Sequence, residues 1–242
     1  AQPVQAATPA RESARVQGIE PADGRWRLLA GDVDYLATAV IIAVGASPRR
    51  LKIPGERELF GRGVSYCATC DGFFYRDKVV AVVGGGNTAV EEALYLSDIA
   101  EKVYVIHRRD ELRADPIVAR RAFAVPNIEF IWDTIPTALN GTAAIESVSL
   151  HNNKTGQDWV LPVDGLFVAI GHEPNTDFVQ GLLELEDGFI VANCRMETSQ
   201  PGIFAAGDVR NTPLRQVVTA VGDAAIAADS AYRYISARRH PA

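Results

Sequence analysis

Residues 78–109 read KVVAVVGGGNTAVEEALYLSDIAEKVYVIHRR, and this stretch decides the fold. Val79 to Val83 is a short, apolar, mostly β-branched run of the kind a buried parallel strand needs. Gly84-Gly85-Gly86 interrupts it, Ala89 to Ile99 resumes with helical spacing, and Val103 to Ile106 is a second buried strand. Strand, glycine turn, helix and strand in that order make one βαβ unit, so the expected fold class is α/β.

The turn fits GxGxxA at the place where such a motif has physical meaning, after a strand and opening a helix. Gly84 permits the tight turn, and Gly86 lets the backbone approach a pyrophosphate. Asn87 and Thr88 begin the helix whose N-terminus would hold that phosphate, and Ala89 is small enough for close helix–strand packing. A glycine turn serving geometry alone is the competing reading. At the end of the next strand, where an NAD site usually places a carboxylate, stand His107, Arg108 and Arg109, with Arg113 one turn later. Guanidinium groups form charge-assisted, bidentate bonds to a 2′-phosphate, so the site is expected to prefer NADPH. A solvated basic helix start, paired with Asp110 and Glu111, is the bland alternative.

Cys67-Ala68-Thr69-Cys70 is a CxxC followed at once by Asp71. That spacing brings two sulfurs within disulfide reach on the first turn of a helix, where the dipole favours a thiolate. Zinc is the competing use, but no second CxxC or CxxxH is present, and Cys194 and the four histidines are scattered, so no metal site is expected. Asp71 is open to two readings, a general acid for a leaving thiolate or a cap on the following turn. Cys194 is expected to be a buried or half-buried lone thiol.

Outward from these motifs the chain is ordinary globular material, 48% apolar and 22% charged over 242 residues. A net charge of −6 argues against a nucleic-acid partner, no apolar run is long enough to cross a membrane, and three cysteines suit a reducing cytoplasm. The opening AQPVQAATPA is aperiodic and reads as a linker or cut end. Residues 25–30 and 34–37 read as short strands about Gly31-Asp32, and Ala39 to Val44 as a buried strand ending at Gly45. Pro48 to Gly55 and Gly171 to Thr176 are breaks that fit chain crossings between domains. Between them, Ile128 to Trp132, Ile145 to Leu150 and Trp159 to Leu161 look like strands of an antiparallel excursion, and Leu166 to Ile170 like another buried strand.

The ordered motifs GRGVSYCATCDGFFYRDKVVAVVGGGNTAVEEALYLS, HRRDELRA, GLFVAIGHEPNT and TSQPGIFAAGDVRNTPLRQ give the chain, from about Ala39 to Tyr234, a specific resemblance to the low-molecular-weight thioredoxin reductases. The resemblance implies Rossmann-like FAD- and NAD(P)-binding domains, with an NADPH domain at 48–171 inserted into an FAD domain formed from 1–47 and 172–242. It implies that NADPH reduces FAD, that the flavin reduces a Cys67–Cys70 disulfide, and that the dithiol reduces thioredoxin. Cys70 would face the flavin, Cys67 would attack the protein substrate, and Asp71 would act as general acid. Ile170 and Gly171 would join the nucleotide site. Gly45 and Ala46, Gly207, Asp208 and Val209, and Arg215, Gln216 and Val217 would contact FAD. A homodimer is implied as well. The family opens on its own strand and GxGxxG for FAD, and nothing of that kind precedes Ala39, so the expectation is a truncated reductase or a flavin-poor derivative. The alternatives are a flavin-deficient NADPH-binding module and the flavoprotein of an alkyl hydroperoxide reductase system, whose members usually carry CPHC where this chain has CATC.

Overall fold

Val79–Val83 and Lys102–Ile106 pair in parallel, Val80 opposite Val103 and Val83 opposite Ile106, with the helix Asn87–Ser97 as their crossover. The computed structural model, which describes residues 14–239, places this pair in a five-stranded parallel sheet. Its order is Val64–Ser65, Gly165–Val168, Val79–Val83, Lys102–Ile106 and Ile128–Ile131. Because every strand runs the same way, their C-terminal ends share one edge. Tyr66-Cys67, Ala169-Ile170, Gly84, His107 and Trp132 all emerge there.

Both faces of this sheet are covered, as continuous apolar strands require. On one face Val80, Val82, Val103, Val105 and Phe167 pack against Ala89, Val90, Ala93 and Leu96 of the helix. On the other, Ala81, Val83, Ile106, Leu166 and Val168 meet Leu139, Val148 and Leu150 of a three-stranded antiparallel sheet. That second sheet is Thr134–Asn140, Ser147–Asn152 and Asp158–Pro162.

The structure corrects one expectation here and adds a strand that the sequence did not show. Ile128–Ile131 is no part of the antiparallel excursion; it pairs in parallel with Lys102–Ile106. The reason is a second crossover helix, Pro116–Phe123, begun by Asp115 and by a proline at its first turn, where the absent N–H costs nothing. The outer strand Thr134–Asn140 escapes pattern reading because Pro136 interrupts it and the register shifts between Pro136 and Ala138.

The described residues divide into two compact units, Pro48–His172 and the flanking segments up to Ser47 and from Glu173. In the second unit, Gly18–Ala22, Arg25–Ala30 and Val33–Ala37 form an antiparallel sheet. Its first turn is Asp23-Gly24, both at positive φ, a mirror-image turn whose twist matches that of the strands. Val40–Ile42 pairs in parallel with Ile203–Ala205, and Val217–Arg239 is a long helix. The expected buried strand over 39–44 is therefore shorter and only half buried. Val40 and Ile42 join the core, while Ile41 and Val44 are 41% and 47% exposed, because alternation turns Ile41 to the opposite face. Among the described residues no helix is long and apolar enough to cross a membrane.

Phe167 is fully buried and packs edge-on against Tyr75 at 5.2 Å. Phe167→Ala removes the largest side chain of the central core and is expected to cost about 3–5 kcal/mol, read as a lowered urea midpoint with an unchanged slope.

Candidate functional site

The glycine turn at 84–86 is built by contacts only glycine allows. At Gly84, φ is +155°, and a Cβ would lie 2.4 Å from the carbonyl oxygen of Ala169 and 2.6 Å from the Cβ of Ala89. Gly84 and Ala89 together thus set how closely helix approaches strand. At Gly85 a Cβ would meet the His107 ring at 2.2 Å. Gly86, the helix N-cap, faces open space and supplies no capping side chain, so the first helical N–H groups are left for a ligand.

Beside this turn lies a cleft of about 500 Å³, lined among others by Gly84, Arg49, Arg50, His107, Arg108, Arg113 and Ile170. Arg108, Arg109 and Arg113 are exposed. His107 differs from them. Its ring is buried against Gly85, its Nε2 has no hydrogen-bond partner, and burial foremost, opposed by a hydrogen bond to the Glu111 backbone and aided by the nearby arginines, holds its pKa below the usual histidine value. A buried orphan nitrogen, an open cradle and guanidinium groups at one cleft fit an anionic dinucleotide. Asn87 is spent elsewhere, exchanging two hydrogen bonds with Asp115 at 2.6 and 2.8 Å, and Thr88 is exposed at the helix start. Gly171, at φ +104°, accepts from the Arg49 amide at 2.9 Å. Lys154 reaches Asp110 at 2.7 Å and Asp133 at 3.1 Å, which offsets the carboxylate beside the arginines.

Cys67 and Cys70 form a disulfide at the same sheet edge. Cys67 is the N-cap of a single turn, Ala68–Asp71, and its sulfur accepts from the Cys70 amide at 3.2 Å. The expected division of labour is not mirrored in exposure, since Cys70 is the exposed member and Cys67 is half-buried. Asp71 does not cap the following turn; it accepts from the Ser65 hydroxyl at 2.6 Å, and Ser65 Oγ in turn accepts from the Cys67 amide at 3.1 Å. Ser65 was not singled out by the sequence, because its partner lies across the turn rather than at a motif spacing. Glu92 is a second such residue. Its Oε1 accepts from the Ala68 amide at 3.4 Å, its Oε2 is buried without a partner, and burial raises its carboxyl to about 7 against the opposing effect of that amide. The signal was present: Glu92 falls between Ala89 and Leu96 at helical spacing on an otherwise buried stripe. Phe73 and Phe74, just past the disulfide, are 67% and 70% exposed, and Phe60 is exposed too.

In the other unit Gly207–Val209 is a short turn whose Gly207, at φ +75°, donates to Asp223 at 3.1 Å, and Asp223 pairs with Arg210 at 2.7 Å. Asp208 is half-buried. Arg215 stacks on Phe189 at 4.2 Å and keeps a buried Nε without a partner. Gln216 and the exposed Val217 lead into the long helix, and Gly45 takes the positive φ of +67° beside Ala46. Cys194 is exposed, against expectation, because the Asn193 side chain caps the amides of Arg195 and Glu197 and puts Cys194 on an outward turn. Among the described residues no cluster of His, Cys, Asp or Glu could hold a metal.

Residues 9–224 match the family model for pyridine nucleotide-disulphide oxidoreductases. The chain is 45% identical over 223 residues to the thioredoxin reductase of Peptoclostridium acidaminophilum, covering 89% of this chain and 71% of the relative. It is 47% identical over 208 residues to that of Bacillus subtilis, covering 85% and 66%. Across the curated relatives compared, the chain spans 64% to 71% of their length. The crystal structure of thioredoxin reductase from Streptococcus pyogenes superposes with a TM-score of 0.87 at 47% identity, over 93% of this chain and 74% of that one. That from Giardia duodenalis gives 0.87 at 38% identity, over 92% and 74%.

The raised carboxyl of Glu92 has a stability consequence of definite sign. The folded state holds this proton more tightly than the unfolded chain, so the contribution is complete below about pH 4.5 and is lost as pH rises through about 7. Glu92→Gln should therefore gain unfolding free energy relative to the parent between about pH 5 and pH 8, by on the order of 2 kcal/mol. Urea unfolding of both proteins at the two pH values measures it; a constant difference would show that the buried carboxyl is already ionised at pH 5.

Proposed function

The chain belongs to the pyridine nucleotide-disulphide oxidoreductase family and, within it, to the thioredoxin reductases, and from that membership we propose that it carries reducing equivalents from NADPH to the disulfide of thioredoxin. The observation that carries the reading is the Cys67–Cys70 disulfide at the same edge of one parallel sheet as the glycine turn and the arginine-lined cleft. The family's cofactors are NADPH and FAD. Unit Pro48–His172 would hold NADPH, with pyrophosphate on the Gly86 cradle and N-terminus of Asn87–Ser97, and the 2′-phosphate at Arg108, Arg109 and Arg113. The orphan Nε2 of His107 and the lining residue Ile170 would complete that cleft. In the flanking unit Asp208, Arg215, Gln216 and the Gly45-Ala46 turn would contact FAD, and the unpartnered Nε of Arg215 favours an acceptor there. Bound there, FAD would supply the two-electron redox chemistry that links a nicotinamide to a disulfide.

The chain's own residues supply the rest. Ser65 fixes Asp71 and the Cys67 amide, so the carboxyl is held one turn from the sulfurs, where it can return a proton to a leaving thiolate. Exposed Phe73 and Phe74 beside the pair give a protein substrate an apolar contact of the kind aromatic hot spots provide. Three cysteines and this thiol chemistry suit the cytoplasm, and a homodimer follows the family pattern.

NADPH-dependent reduction of thioredoxin, assayed with FAD present, tests the reading. Cys67→Ser and Cys70→Ser should each abolish it. Arg108→Ala with Arg113→Ala should raise KM for NADPH about tenfold or more, since each lost charge-assisted bond is worth about 1.5–3 kcal/mol, and should leave KM for NADH nearly unchanged. An equal loss with both nucleotides would remove the 2′-phosphate assignment.

A further inference from the structure

The mechanism above uses Asp71 as its acid and leaves one ionisable group at the disulfide turn without a task. Glu92 sits in the middle of Asn87–Ser97, on the side that packs against the turn. The approach is tight: a Cβ on Gly72 would meet Tyr95 at 3.0 Å and Leu96 at 3.1 Å, so only glycine lets the turn lie this close on the helix. Glu92 Oε1 is thereby held on the amide of Ala68, the residue that follows Cys67 and is itself fully buried. A glutamine would accept that hydrogen bond equally well and would avoid burying an ionisable group. What the carboxyl adds is a charge that can be switched, held on the amide that directly follows Cys67 in the chain.

We propose that Glu92 is a positioning residue whose charge governs how readily the reduced Cys67 gives up its proton. This rests on the reading of Cys67–Cys70 as the redox pair. The thiolate is the reactive form of cysteine, and a like charge close by in a poorly solvated setting opposes it. Protonated, Glu92 leaves Cys67 unhindered; ionised, it postpones thiolate formation to higher pH. Its titration falls in the neutral range because burial raises the carboxyl. Other ionisable groups on the packed elements are Asp71 and Tyr75 past the turn, Lys102, Tyr104 and Glu129 on the strands, and Arg120 and Arg121 on Pro116–Phe123. None of these is among the causes of the Glu92 shift, which are burial and the Ala68 amide. The switch is therefore local to Glu92 and the turn.

The test is a thiolate titration by ultraviolet absorbance on a Cys70→Ser, Cys194→Ser protein, in which Cys67 is the remaining thiol, with and without Glu92→Gln. It needs neither NADPH nor FAD, so its failure is distinct from failure of the reductase reading. Glu92→Gln should lower the Cys67 midpoint, raising the thiolate-to-thiol ratio about threefold at the pH where the parent is half ionised. Glu92→Leu, which also loses the acceptor for Ala68, should lower the midpoint in the same direction if charge is the cause. Superimposable curves for the parent and Glu92→Gln would overturn the inference. So would a shift confined to Glu92→Leu, which would make the residue a structural acceptor only.

Discussion

The site depends on one steric constraint, the absence of a side chain at Gly84. A Cβ there would lie within 2.6 Å of both Ala89 and the Ala169 carbonyl, and no rotamer change relieves contact with a backbone oxygen. With glycine in place, Asn87–Ser97 begins immediately above the strand and the Gly165–Val168 strand passes close on the other side. The helix N-terminus is then left uncapped at the sheet edge where the arginines and the disulfide turn also emerge. The same turn carries Gly85, against which the His107 ring lies, and starts the helix that holds Glu92 on the Ala68 amide.

What the sequence made legible was local chemistry in its context. The strand–turn–helix–strand at 79–106, the CxxC and the basic run after the second strand are carried by residues close in the chain, and periodicity and spacing read such features well. Strand direction was not legible. Ile128–Ile131 has the same apolar pattern whether it runs parallel or antiparallel, and only the helix Pro116–Phe123 decides it. Thr134–Asn140 was hidden by a proline that the strand tolerates at an irregularity. The turn at Cys194 was misjudged because cysteine's usual burial is a weak prior against a side-chain cap from Asn193.

The residues missed at the site share a cause. Ser65 and Glu92 act on the disulfide turn through hydrogen bonds that join a strand end, a one-turn helix and a crossover helix. No motif spacing encodes such meetings, since they depend on how the elements pack. Glu92 alone left a trace, a carboxylate on a stripe of buried alanine, valine and leucine, and a buried acid without an ion-pair partner is a departure from local consistency of the kind functional sites show.

Asn87–Ser97 therefore serves both halves of the chemistry at once. Its uncapped first turn, favoured by the dipole for anions, faces the nucleotide cleft, and Glu92 lies six residues beyond Gly86, about 9 Å along the axis at 1.5 Å per residue. At that distance the dipole's effect has largely faded, so the carboxyl is left to burial and a single amide, and it stays near neutrality instead of being fixed as an anion. A glutamate one turn earlier would be held ionised beside the phosphates, opposing the nucleotide. Where it stands, it bears on Cys67 and leaves the cradle to the incoming anion.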